Sequence, residues 1–205
     1  FSKEGIAPIV DELLENKVKL YSTGGTYKYI SKLGYDVIEV ENITDYPSIF
    51  GGRVKTLHPK IFGGILYRRE NNEDIEEKEK YEIPSIDLVI VDLYPFEETV
   101  KKGRTQDEII EKIDIGGIAL IRAAAKNHKN VVCISSVHDY DSFLEIFKKN
   151  NGQLSLNERK YFARNSFLTS SKYDSAIFNY FDGIENLSLR YGENPHQSGI
   201  FSGKL

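Results

Sequence analysis

Cysteine is almost missing from this chain, whose 205 residues hold only Cys133. One thiol forms no intramolecular disulfide and no thiolate metal cluster, and such usage fits a reducing compartment. Cys133 stands in VVCIS, an apolar run that reads as a buried strand, so its expected role is core packing. Histidine is scarce as well. His58, His128, His138 and His196 show neither HxxxH nor HExxH spacing, so no metal site is expected. The GxxxxGK[ST] and GxGxxG nucleotide loops are missing, as is the GxSxG nucleophile turn. No apolar run approaches the roughly 20 residues of a membrane span. No signal peptide is visible, although the chain opens at Phe1 rather than methionine. Nor is there a strong excess of charge: the net −4 and pI near 5.7 disfavour nucleic acid or an anionic membrane as the main partner. Any positive site must be local.

What is present is ordinary for a globular protein, with 40% hydrophobic and 28% charged residues. The length allows one full domain and a remainder. Apolar residues recur at helical spacing in Ile6, Ile9, Val10, Leu13 and Leu14, with Pro8 blurring the start of that helix. VKLYS (18–22), DVIEV (36–40), IDLVIVDLYPF (86–96) and NVVCIS (130–135) read as strands. Helices are expected over 26–34, 70–81, 118–127, 139–149 and 155–180, with TQDE (105–108) as a capping box that opens another. Alternating strands and helices indicate an α/β domain with a mainly parallel sheet, in which ligands bind beyond the carboxyl ends of the strands.

The glycine-rich segments fall at those ends. STGGT (22–26) lets backbone approach an anion and offers Ser22, Thr23 and Thr26 hydroxyls ahead of a helix, yet the same residues serve a plain turn. GGRVKTLHPKIFGG (51–64) reads as a glycine-flanked loop in which Arg53 forks onto phosphate oxygens and Lys55 supplies a point charge. The alternative is a solvated loop with His58 as a structural residue. DLYPF places Asp92 and Tyr94 at a strand end, facing a ligand or anchoring a turn. IDIGG (113–117) puts free N–H groups at a helix start beside Asp114. Arg122 and Lys126 share a face further along, as part of a site or as an exposed basic stripe.

Taken in order, STGGT, GGRVKTLHPKIFGGIL, DLYPF, IDIGGIALIRAAAKNH and RYGENPHQ closely resemble the bifunctional purine biosynthesis family, which joins IMP cyclohydrolase to AICAR formyltransferase. The resemblance covers essentially the whole chain. It implies a methylglyoxal-synthase-like α/β sandwich around a mainly parallel central sheet flanked by helices. It also implies a cyclohydrolase domain over 1–183, with a linker and the start of the formyltransferase domain over 184–205. The implied reaction closes the ring of 5-formamidoimidazole-4-carboxamide ribotide to inosine monophosphate and water. By motif the implied catalytic residues are Lys55, Tyr94, Asp114 and Lys126. The phosphate site is implied around Lys3, Thr23, Gly24, Gly25, Thr26, Arg53 and Thr56, and the base near Asp92, Ile115, Gly116 and Gly117.

The family usually carries a serine-rich strand just before the lysine matching Lys3; the sequence begins after it, so the sheet is expected to lack its first strand. Asparagine is common where Asp92 stands. RYGENPHQ, with Arg190 and Tyr191, matches the entrance of the formyltransferase domain, whose active site is not in the sequence. The resemblance further implies no cofactor for ring closure, 10-formyltetrahydrofolate as co-substrate of the formyltransferase, a homodimer, and a cytoplasmic location. The same fold also serves as an allosteric nucleotide-binding module without catalysis, and as methylglyoxal synthase. LHPKIFGG, IDIGG and RYGENPHQ favour the cyclohydrolase.

Overall fold

Four short strands and the helices between them position everything that follows. The computed structural model describes residues 3, 5–183, 186–189 and 199–202. The RYGENPHQ motif, with Arg190 and Tyr191, lies outside the described residues. Helix α1 (Ala7–Glu15) leads to β1 (Tyr21–Ser22), α2 (Gly24–Lys32), β2 (Ile38–Glu39) and the short α3 (Glu41–Thr44). Next come α4 (Pro59–Leu66), α5 (Asn72–Lys80), β3 (Leu88–Ile90), α6 (Phe96–Lys101) and α7 (Gln106–Ile110). The chain continues through α8 (Gly116–Lys126), β4 (Val132–Ile134), α9 (Tyr140–Lys149) and α10 (Leu156–Asp182), followed by β5 (Asn186–Leu189) and β6 (Gly199–Ser202).

Pairing is parallel, as the alternation predicts. Tyr21 stands opposite Ile38, and Val89 opposite Cys133. Flanking bonds lengthen both ladders: Ile38 N–H donates to Leu20 O at 2.8 Å and Val91 N–H to Ile134 O at 2.9 Å. The continuous central sheet expected from the sequence is instead two pairs, β1–β2 and β3–β4, which no ladder joins among the described residues. β5 and β6 form a separate antiparallel pair.

The sandwich is written into β4. Alternate strand side chains point to opposite faces, so Val132 and Ile134 meet one core while Val131 and Cys133 meet the other. The first core adds Ile9 and Leu13 of α1, Phe143 and Phe147 of α9, and Phe162 of α10. The second adds Ile61 and Ile65 of α4, and Ile121 and Ala124 of α8. Burial on both faces explains why VVCIS is continuously apolar.

The contacts divide the chain into two compact units, Phe1–Leu93 with Asp114–Ser170 and Tyr94–Ile113 with Ser171–Leu205. All four parallel strands lie in the first. In the second, buried Phe96 meets Tyr173 and Tyr180 edge-on, with ring centroids 6.3 and 5.7 Å away. Tyr173 also donates to Lys112 O at 3.0 Å.

The segment 51–64 is half loop and half helix. Phe50–Gly52 forms a 3-10 turn, closed by an Ile49–Val54 bridge, and α4 then begins at Pro59. Proline suits a first helical position because its missing N–H would be unpaired there anyway. His58 caps this helix, its Nδ1 accepting from Lys60 N–H at 3.2 Å. Two glycines sit inside α4 despite a penalty of about 1 kcal/mol each against alanine. A methyl on Gly64 would lie 2.3 Å from Pro84 O, and one on Gly63 would lie 3.0 Å from Ile83 Cδ1. The glycines let the segment before β3 rest directly on the helix.

Candidate functional site

Glycine-rich turns from separate parts of the first unit meet beyond the strand ends. STGGT leaves β1 and becomes the N-terminus of α2, with Thr23 extended and Gly24 at φ +47. Lys55 approaches this turn from the 51–56 segment: a methyl on Gly24 would lie 3.4 Å from its Nζ. Lys3 reaches the same turn, with its Nζ 3.7 Å from the methyl position of Gly25. Two ammonium groups therefore lie by a helix start whose first N–H groups and dipole favour an anion. Thr56 extends the arrangement to a further turn, because its Oγ1 lies 3.1 Å from the methyl position of Gly116. STGGT, GRVKT and IDIGG thus touch through Lys55 and Thr56.

At the IDIGG turn, Gly117 N–H donates to Asp114 Oδ1 at 2.7 Å. A methyl on Gly117 would stand 2.6 Å from Asp114 Oδ2, so only glycine leaves the carboxylate room. Asp114 therefore acts as a side-chain cap for α8, satisfying one of the unpaired N–H groups of the helix start. Neighbouring Ile115 is exposed.

Asp92 follows β3, half-buried at its carboxyl end. Burial first, and then the Asp92 charge, push the Tyr140 phenol up to about 12. Tyr140 is a core residue whose ring packs under the N-terminal segment, with Cδ2 3.5 Å from the methyl position of Gly5.

Other candidates lie elsewhere. Arg53 is exposed, and its Nη1 donates to Phe50 O at 3.5 Å. Arg122 turns toward α10, donating to Ser170 Oγ at 3.2 Å. Lys126 is the exposed last residue of α8. At 1.5 Å per residue it stands about 15 Å along the axis from Gly116. Tyr94 opens the second unit, where the Lys112 ammonium lies 5.0 Å from its ring centroid. His128 Nδ1 meets Ala125 O at 3.2 Å, and His138 lies in the 3-10 turn before α9.

A cavity of about 300 Å³ opens beside Lys55, lined also by Tyr46, Ile49, Val54, Leu57 and His58. Tyr46 and Ile49 lie outside the quoted motifs and went unread in the sequence. Among the described residues, no three His, Cys, Asp or Glu side chains gather as a metal site would require.

The MGS-like domain family matches residues 5–119, the segment that carries all three glycine turns. The chain belongs to that family. The AICARFT/IMPCHase bienzyme family matches residues 124–204. A protein of Bacteroides thetaiotaomicron named bifunctional purine biosynthesis protein PurH is 55% identical over 100% of this chain and 42% of its own length. Proteins of the same name are 45% identical in Aquifex aeolicus, over 98% of this chain and 42% of their own length, and 44% identical in Clostridioides difficile, over 97% and 41%. The chain thus spans about two fifths of the length of these curated relatives. A solved structure, the crystal structure of ForH, is 32% identical with a TM-score of 0.76, covering 88% of this chain and 93% of the other. No helix among the described residues is long and apolar enough to cross a membrane.

Proposed function

We propose that this MGS-like domain is an IMP cyclohydrolase, closing the ring of a formylated imidazole carboxamide ribotide in purine biosynthesis. One observation carries the reading: Lys3, Lys55 and Thr56 converge on the Gly24–Gly25 and Gly116–Gly117 turns, in a chain whose relatives are named bifunctional purine biosynthesis proteins. The ribotide phosphate would sit at the N-terminus of α2 beside the Lys3 ammonium, with Thr23, Thr26, Arg53 and Thr56 around it and Lys55 at its edge toward the heterocycle. The heterocycle would extend toward Asp92 and the turn at Ile115, Gly116 and Gly117.

In the reaction the carboxamide nitrogen attacks the formyl carbon, and a C–N bond forms. The formyl oxygen then leaves as water with one proton from each nitrogen. Holding the two groups together removes much of the barrier. Lys55 is assigned to the oxyanion of the tetrahedral intermediate, and Asp114 to the carboxamide proton. Gly117 N–H is held by Asp114 without substrate, so it reaches the oxyanion only once that bond opens. Tyr94 is assigned to assist departure of water. Lys126 stands too far along α8 to meet the glycine turn of its own chain, so its participation calls for a second copy, as a homodimer supplies. Ring closure uses no cofactor. 10-Formyltetrahydrofolate is assigned to the formyltransferase reaction that precedes it, both in the cytoplasm.

The test is to incubate the purified chain with the formylated ribotide and follow inosine monophosphate by absorbance. Turnover above the uncatalysed rate is expected, falling about 10²–10³-fold in Lys55→Ala. Tight nucleotide binding without turnover would instead make the domain a regulatory module.

A further inference from the structure

Lys55 reaches the α2 turn through a gap in the backbone. A methyl on Gly52 would lie 2.5 Å from Lys55 Cε and 2.7 Å from its Nζ, closer than any side chain tolerates. A methyl on Gly24 would stand 3.4 Å from the same Nζ, in van der Waals contact. The lysine stem therefore crosses the bare face of one glycine and ends against another. Gly52 cannot yield, because its N–H donates to Ile49 O at 3.0 Å and Ile49 N–H is tied to Val54 O at 3.3 Å. The side chain can yield, since the cavity of about 300 Å³ beside it is open to receive it.

We infer that Gly52 and Gly24 form a slot that aims the Lys55 ammonium at the N-terminus of α2, which makes Gly52 a positioning residue for the reaction. A methyl at position 52 closes the slot and turns Lys55 toward Tyr46, Leu57 and His58. Gly51 supplies a matched control: it also has a left-handed backbone, φ +66 against +94 at Gly52, but nothing lies within 4 Å of its methyl position. Backbone strain acts at both positions, whereas obstruction of the lysine acts only at Gly52.

The inference rests on the cyclohydrolase reading for its first measurement only. In the turnover assay Gly52→Ala is expected to lose about 10²-fold in kcat, the scale of a catalytic group misplaced by an ångström, while Gly51→Ala stays within about threefold of the parent. Combining Gly52→Ala with Lys55→Ala is expected to give no further loss beyond Lys55→Ala, because both remove the same group. Equal losses in the two glycine variants, or additive losses in the double variant, would overturn the slot.

The second measurement needs no turnover. Lys55 is acylated with an amine reagent and quantified by peptide mass spectrometry, with and without inorganic phosphate. Phosphate should slow acylation of Lys55 in the parent and in Gly51→Ala, but not in Gly52→Ala; protection surviving in Gly52→Ala overturns the slot. A parent that is protected but inactive sinks the cyclohydrolase reading and leaves the slot standing. Should Gly52→Ala fail to fold, Lys55→Arg decides. Its charge is kept but its fork is too wide for the slot, so inorganic phosphate binding should weaken about tenfold, and parent-like affinity overturns the proposal.

Discussion

Asp114 combines two tasks that one pair of substitutions separates. Its carboxylate caps α8 through Gly117 N–H, and the proposed chemistry asks it for a proton. Asp114→Asn keeps an acceptor for that N–H, so its thermal stability should stay close to the parent. Asp114→Ala should lose about 1 kcal/mol, the usual worth of a helix cap. Both should lose ring closure, so thermal unfolding tells the variants apart while the activity assay does not. Arg53 and Lys55 both read as anion ligands, with Arg53 on the phosphate and Lys55 on the chemistry. In the structure Lys55 lies beside Gly24, and Arg53 donates to Phe50 O. Gly52 leaves an open face for the Lys55 stem, and no composition or spacing rule reports that. His58 was open to two readings, and its cap on α4 supports the structural one.

Elements were legible wherever a local rule fixes them. The TQDE capping box forms as read: Thr105 Oγ1 accepts from Glu108 N–H, and Glu108 accepts from Thr105 N–H at 3.0 Å, which holds the Glu108 carboxyl below its ordinary value. The apolar run of β4 and the helix over 70–81 were equally plain. Where the reading failed, a tertiary contact had overridden a local preference. Residues 51–64 read as a glycine-flanked loop, yet α4 begins at Pro59, and only the chain at Pro84, packed on Gly64, shows why the glycines are there. This gives a ranked prediction. Gly64→Ala meets a fixed backbone oxygen and should destabilise by about 1–3 kcal/mol, despite the better helix propensity of alanine. Gly63→Ala meets the movable tip of Ile83 and should lose less. Urea unfolding of the two variants checks the order.

For the whole molecule, the distance along α8 becomes a statement about assembly. If Lys126 serves the glycine turn of a second copy, mixing Lys55→Ala with Lys126→Ala chains should restore activity that neither has alone. Random reassortment gives one intact site in each mixed dimer, or about a quarter of parent activity. No recovery would confine Lys126 to its own chain or remove it from the reaction. Sequence periodicity foresaw the α/β layers but not the two compact units into which the contacts divide the chain. The lone cysteine adds something of use to the experimenter. Cys133 is 1% exposed between the two helical layers, and burial pushes its thiol up to about 11. It should alkylate far more slowly than in the unfolded chain, because the reagent reaches a buried thiol only when the surrounding layers open. The chain therefore carries its own stopwatch: a reagent that counts modified thiols over time records how often the layers part to let solvent in.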